Sequence, residues 1–400
     1  MSEQRIWDVV IAGAGPAGLH LARQLAEAGA SVLVADPLVD LRQAAFSSAA
    51  LPLEAVEHFA LPPQVIAAYW SSWQLHGPGD RVREWQAGRP LGAVLDFGSL
   101  REWLAQQARG QGVALRLGWR VQRWQPCSEG ASAWLRGPGA LEEQLRCRWL
   151  VDATGQQRAL IGEPDPRRAP LVAGAGVEWL LQLPLDRWQP WADRLSFMLG
   201  SGWVPQGYGW VFPMAPGELK IGVCRLSDPR QRQPPLHQLL QQLQQRLGLE
   251  PLQVLDRHGG LIRSSIARRE PHRCGPLLGL GDAVSTANLL GGEGIRHALA
   301  SSEVLAPLLL QALGGRPAAL DRYAPQLRRR LGWRWALSGR LARRTWLGLQ
   351  DQRGDRRLER LLQGLERGAS AHDLSALLFH YRFERYGLRA LPDLLGWGRP

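Results

Sequence analysis

The feature that most constrains this chain is the loop Gly13-Ala14-Gly15-Pro16-Ala17-Gly18, because of what stands on either side of it. Before it runs Trp7 to Ala12 (WDVVIA), a short apolar stretch suited to a buried parallel strand. After it, Leu19, Leu21, Ala22, Leu25 and Ala26 recur at helical spacing until Gly29, and Ser31 to Ala35 (SVLVA) reads as a second strand. In such a strand–turn–helix, Gly13 permits the tight turn, Gly15 lets backbone approach a pyrophosphate, and Gly18 allows the helix to lie close to the strand. The helix start at Pro16 and Ala17 adds unpaired N–H groups and a partial positive charge. Asp36, 23 residues after Gly13, stands where it can accept hydrogen bonds from ribose hydroxyls. The opening therefore asks for a dinucleotide.

A second set of glycines lies about 270 residues further on. Gly279-Leu280-Gly281-Asp282-Ala283 follows a short apolar strand, and Gly291-Gly292-Glu293-Gly294-Ile295 opens another helix. Two distant clamps closing on one extended ligand point to FAD, since a nicotinamide dinucleotide has no need of the second. Arg148 to Ala153 (RWLVDA) is a further buried strand, ending in Thr154-Gly155. The expected cofactor set is Gly13, Gly15, Pro16, Ala17, Gly18, Asp36, Gly155, Gly281, Asp282, Gly292, Gly294 and Ile295. The fold class expected is α/β, with a Rossmann-like FAD-binding domain in three pieces (1–75, 96–165 and 270–325). A β-rich substrate domain (76–95 and 166–269) interrupts it, and a basic helical region (326–400) follows. The 400 residues suffice for two intertwined domains.

Charge adds a partner question. The chain has 48 Lys and Arg against 36 Asp and Glu, and Lys220 is its one lysine. No helix-turn-helix, zinc-finger or aromatic RNA-binding pattern accompanies the charge, so nucleic acid is set aside. From Arg328 onward, 16 arginines face seven carboxylates, interleaved with Trp333, Trp335, Trp346 and Trp397. Such a tail suits an anionic membrane surface, an acidic protein, or plain solvation. No segment reaches the ~18–20 apolar residues of a spanning helix, so any membrane contact is expected to be peripheral. Cys127, Cys147, Cys224 and Cys274 show neither CxxC nor metal-ligand spacing, which fits a reduced, cytoplasmic compartment.

Tyr208, Trp210 and Phe212 alternate in the run YGWVFP and so share one face of a strand, able to wall an apolar cavity. With this run, the loop GAGPAG with Asp36, and GDAVSTANLLGGEGIRHAL (Gly281 to Leu299), residues 6–315 resemble the geranylgeranyl reductases. These belong to the flavoprotein group that includes the aromatic hydroxylases. The resemblance implies FAD, reduction of carbon–carbon double bonds in an isoprenoid or similar apolar lipid, and a substrate held by Tyr208, Trp210 and Phe212. Departures are Cys224 and Leu289, where the family has glycine and proline; Phe97, where it often has arginine; and FSSAAL, where many reductases carry Cys-Gly-Gly.

Hydride delivery to an alkene needs a proton donor and the exclusion of water. Glu293, in the glycine turn, and Tyr208, on the substrate strand, are the candidates. His297 reads as a structural histidine, and Gly174-Ala175-Gly176 as backbone packing rather than a second nucleotide site. The electron donor is then either transiently docked NADPH or a small acidic electron-carrier protein steered by the basic surface. Lycopene cyclases resemble the same scaffold and stand as the alternative, although the strand Leu219 to Arg225 has no carboxylate of the kind they use. A monooxygenase or a non-catalytic flavin-binding protein are further alternatives; Val284 takes the place of the histidine common after Asp-Ala in hydroxylases.

Overall fold

The computed structural model describes residues 5–44 and 46–385. Its first sheet runs Arg273–Cys274, Leu277–Gly279, Glu142–Asp152, Ile6–Ala12, Val32–Asp36, Ala114–Leu117. All neighbours after the first pair are parallel. Apolar residues fill both faces of the central strand. Val9 and Ile11 join the core formed with helices Pro16–Glu27, Phe97–Gly110 and Ile295–Leu313, whereas Val10 and Ala12 join a second core beneath the antiparallel strands Arg120–Cys127 and Gly130–Arg136. A strand covered on both sides reads as one continuous apolar run, as WDVVIA does.

The second sheet has seven strands in the order Gln253–Ser265, Leu171–Gln182, Glu218–Leu226, Gly207–Pro213, Arg194–Leu199, Ser72–His76, Val82–Gln86. It is antiparallel apart from the pairing of Arg194–Leu199 with Ser72–His76. The strand Ser72–His76 thus lies in this sheet, a few residues before the boundary expected at 76. Gly92–Leu95 instead sits between Ala50–Pro52 and Ile66–Trp70 in a small three-stranded sheet.

The described part of the basic region, up to residue 385, is helical and integral to the fold. Tyr323–Gly348 bends at Gly332 (φ 78°), Gln352–Gly368 is capped by the Asp351 carboxylate, and Ala371–His380 starts in a Ser370/Asp373 capping box. Leu358, Leu362, Leu365, Leu374 and Phe379 form one core with Trp73, Phe197, Tyr208 and Phe212. The buried Arg83 of the second sheet pairs with Glu359 and Glu366 of the Gln352 helix. The tail is therefore a roof over the aromatic strand. Trp335 is buried within it and Trp333 is exposed, while Trp397 lies outside the described residues. Among the described residues, no helix is long and apolar enough to cross a membrane.

Because the roof shares a core with the sheet, truncating Leu362 (1% exposed) should destabilise the whole chain. Leu362→Ala is expected to cost about 2–5 kcal/mol in urea unfolding, with the loss appearing in one common transition rather than in a separate early one.

Candidate active site and cofactor cleft

The first glycine turn is built by backbone proximity. A Cβ at Gly18 would lie 2.1 Å from the Gly13 carbonyl oxygen, and one at Gly13 (φ 112°) would lie 2.4 Å from the Ala153 carbonyl. The end of the Glu142–Asp152 strand therefore rests directly on the turn. Asp152 ties that strand end down by accepting from the Thr154, Leu160 and Ile161 amides. Asp36 accepts from the Ala14 amide (2.7 Å) and the Leu38 amide (2.9 Å), which places its carboxylate beside the glycine turn. Gly155, with φ 69°, continues the chain away from the Asp152 turn.

The second glycine segment meets the first. A Cβ on Gly281 (φ 62°) would approach the Ala17 Cβ at 3.0 Å, and the Ser302 hydroxyl donates to the Ala17 carbonyl (2.8 Å). Two helix starts thus border one cavity of about 260 Å³, whose lining includes Pro16 on one side and Asp282, Gly292, Gly294 and Ile295 on the other. Neither start has a side-chain cap or an acidic residue in its first turn. Paired, uncapped helix N-termini offer free N–H donors and partial positive charge to an anionic ligand. Burial raises the Asp282 carboxyl above its usual range, and the Thr286 hydroxyl, which donates to it at 2.7 Å, offsets this only in part.

The opposite wall is the aromatic strand. Tyr208, Trp210, Phe212 and Phe197 line the cavity, with Gly174, Ala175, Gly176, Cys224 and Phe46-Ser47-Ser48. Gly174-Ala175-Gly176 is strand backbone, as expected, but it also forms cavity surface. A Cβ at Gly292 would stand 3.5 Å from the Tyr208 hydroxyl, so the phenol reaches the second glycine turn. Burial raises the Tyr208 pKa well above its ordinary value and keeps the phenol protonated. Cys224 lies directly across the strand pair from Tyr208, and burial lifts its thiol to about 12.

Glu293 does not fit the role of proton donor. Burial alone would raise its carboxyl, but Arg296 and His297 outweigh burial and hold it at about 2. Its carboxylate pairs with Arg296 and accepts from the Tyr381 hydroxyl (3.0 Å). His297 sits 2.9 Å from that hydroxyl, and burial together with Arg296 keeps it neutral at about 4. Glu293 is the anion that anchors the Ala371 helix region to the glycine turn.

Glu178, His258 and Arg101 are not legible as site residues in the sequence, and Lys220 is legible there only as the one lysine. Glu178 is fully buried and accepts from the Trp210 indole (3.0 Å), with His258 at 3.2 Å on its other oxygen. Burial pulls His258 down, yet Glu178 and Asp256 together raise it above its ordinary value. Lys220, lowered by burial, donates to the Ser47 carbonyl (2.8 Å) and so pins the cavity segment that carries Phe46. Arg101 is buried one turn into the Phe97–Gly110 helix, its Nε without a hydrogen-bond partner, within Coulombic reach of Asp36. It offers a guanidinium on the helix whose start carries Phe97. The spacing of these residues carried no signal, because each is placed by tertiary contacts.

The family model described as "Lycopene cyclase protein" matches residues 8–324. The chain belongs to this family. It stands among the FAD-dependent oxidoreductases that include the geranylgeranyl and menaquinone reductases. It is 28% identical over 323 residues to digeranylgeranylglycerophospholipid reductase of Haloferax volcanii, covering 77% of this chain and 76% of that enzyme. It is 27% identical over 328 residues to menaquinone reductase of Mycolicibacterium smegmatis, covering 76% of each. Among solved structures, a geranylgeranyl bacteriochlorophyll reductase-like protein of Thermoplasma acidophilum superposes with a TM-score of 0.79 at 19% identity, covering 98% of this chain and 100% of that one. A p-nitrophenol 4-monooxygenase of Pseudomonas putida superposes at 0.71 and 17% identity, covering 95% and 98%. The mixed α/β flavoprotein fold expected from the glycine loops is the one observed.

Removing the Glu293 charge should test its anchoring role. Glu293→Gln is expected to destabilise the protein by about 3 kcal/mol at pH 7, since it leaves Arg296 buried without its anion. A carboxyl depressed in the folded state contributes stability above its ordinary pKa, and that stability is lost as pH falls through the folded value. The wild type should therefore lose stability between pH 4.5 and about 2, and the variant's acid limb in thermal melts should be shallower.

Proposed function

We propose that this chain is an FAD-dependent reductase of carbon–carbon double bonds in an isoprenoid or a similar apolar lipid. One observation carries the reading. Beside the cofactor cavity lies an apolar tunnel of about 170 Å³, and both share Phe197, Tyr208, Gly291 and Trp346. The tail supplies most of its wall through Leu341, Leu358, Leu361, Leu362, Leu365, Leu374 and Leu377, and Thr345 is the single polar side chain besides Tyr208. Such a lining suits a hydrocarbon chain whose end reaches the Tyr208 hydroxyl. The relatives whose names specify geranylgeranyl lipids and menaquinone support the substrate class.

In this reading the two uncapped helix starts would hold FAD, which in its reduced form would supply hydride. Gly13, Gly15, Pro16, Ala17 and Gly18 carry its pyrophosphate and Asp36 its ribose. Gly155, Gly281, Asp282, Gly292, Gly294 and Ile295 close on the remainder. The residues fit that ligand, because Gly15 has no atom within 4 Å of its Cβ position and both helix starts are without side-chain caps. Tyr208 holds a proton at its hydroxyl beside the substrate, and Trp210, Phe212 and Phe197 exclude water. NADPH, or a reduced carrier protein, is the proposed electron source.

The family match makes a cyclase-type isomerisation the second reading. Its missing carboxylate is not replaced by Glu178, which lies across from Gly222 but is engaged by Trp210 and His258. Anaerobically reduced protein mixed with a geranylgeranyl substrate separates the two. Flavin reoxidation with a gain of two hydrogens per double bond is the expected result. An isomer of unchanged mass with the flavin still reduced would establish the cyclase instead, and oxygen uptake with a hydroxylated product would establish a monooxygenase. Tyr208→Phe should retain the flavin absorbance yet slow reoxidation by substrate roughly 100-fold or more.

A further inference from the structure

A small cavity between Tyr323–Gly348 and Gln352–Gly368 is lined by Arg344, Thr345, Gly348, Gly354, Arg357, Leu358 and Leu361. Thr345, Leu358 and Leu361 also line the tunnel, so the gap and the tunnel share a wall. The backbones meet closely at its edge, since a Cβ on Gly354 would lie 2.4 Å from the Gly348 carbonyl.

The charge around this gap is one-sided. The two helices carry 12 arginines against three carboxylates. Each of the three is already partnered: Glu359 and Glu366 pair with Arg83, Glu366 also with Arg81, and Asp355 accepts from Ser201. Among the described residues, Arg340, Arg343, Arg344, Arg353, Arg356 and Arg357 are exposed and form no ion pair. Trp333 (64% exposed), Arg340 and Arg344 fall on one stripe at helical spacing, seven and eleven residues apart. Arg353 and Arg357 form the matching stripe on the facing helix. An exposed tryptophan within an arginine stripe beside an apolar opening is the make-up of a surface that lies on anionic lipid.

We infer that the gap between these helices is the port through which a lipid chain passes from an anionic membrane into the tunnel, with Arg344 and Arg357 holding an anionic headgroup at its mouth. The bilayer fits better than an acidic protein because the arginines line a cavity that shares Thr345, Leu358 and Leu361 with hydrocarbon-lined space. This inference rests on the apolar-lipid reading of the tunnel but not on the chemistry performed there.

Two measurements test it on the full-length, FAD-loaded protein. In flotation with phosphatidylcholine vesicles, with and without 30 mol% phosphatidylglycerol, the wild type should bind only the anionic vesicles. Arg344→Glu with Arg357→Glu should weaken that binding about tenfold or more, with unchanged flavin content and melting temperature. Uptake of cis-parinarate, a linear polyene acid, is followed by energy transfer from tryptophan. Leu361→Trp, which fills the port, should slow uptake about tenfold while leaving vesicle binding intact. Equal flotation of wild type and double variant, or unaltered uptake by Leu361→Trp, overturns the inference. Failure of the wild type to bind either vesicle also overturns it. Neither measurement reads double-bond reduction, so a failed reductase assay leaves both outcomes interpretable.

Discussion

Everything at this site depends on how closely two glycine-opened helix starts are brought together. Ala17 is the meeting point: Gly281 leaves room for its methyl group, and Ser302 donates to its carbonyl. Larger side chains at Gly13, Gly18 or Gly281 would separate the segments. The helices also do without the capping side chains that would ordinarily satisfy their first amides. An uncapped start forgoes roughly 1 kcal/mol of local stabilisation, which a bound anion can return. The apolar sheet and its flanking helices supply the rigidity that keeps both starts in place without a ligand.

The buried charges do a different job. Glu293, Arg296, His297 and Tyr381 form a knot behind the cofactor turn, and it joins the nucleotide fold to the last described helix region. Glu178, His258 and Lys220 do the same behind the aromatic wall, one holding the Trp210 indole and another the Ser47 backbone. Both networks sit one layer behind the cavity. They orient its surface while leaving Tyr208 as the protonated group that faces it. A buried ion pair is weak evidence for net stability, but breaking one leaves an uncompensated charge, so these networks resist piecemeal change.

The parts legible in the sequence were those set by local backbone chemistry. GAGPAG, Asp36 and the GEGI turn are demands on neighbouring residues, and the alternation of Tyr208, Trp210 and Phe212 is a two-residue period. Glu293 stands as a candidate acid in the sequence because its proximity to the glycine turn is visible there and its partner Tyr381, 88 residues on, is not. The tail was legible as basic helix; what it covers was not. Leu358, Leu362 and Leu365 share a helix face whatever lies beneath, and only the fold shows that face closing over Phe197 and Tyr208. Arg101 is not legible because its neighbours Gln43 and Asp36 are brought to it only by the fold.

The burial of Lys220 has a consequence of its own. It is the chain's one lysine, and it lies 5% exposed beneath the cavity wall. The outer surface therefore owes its fixed positive charge to guanidinium groups, which stay protonated across the whole biological pH range. Acetylation, ubiquitination and amine-directed crosslinking find no side-chain amine to modify on that surface. Any control of its attraction to acidic partners must act through salt, through added negative charge, or through the composition of the partner itself.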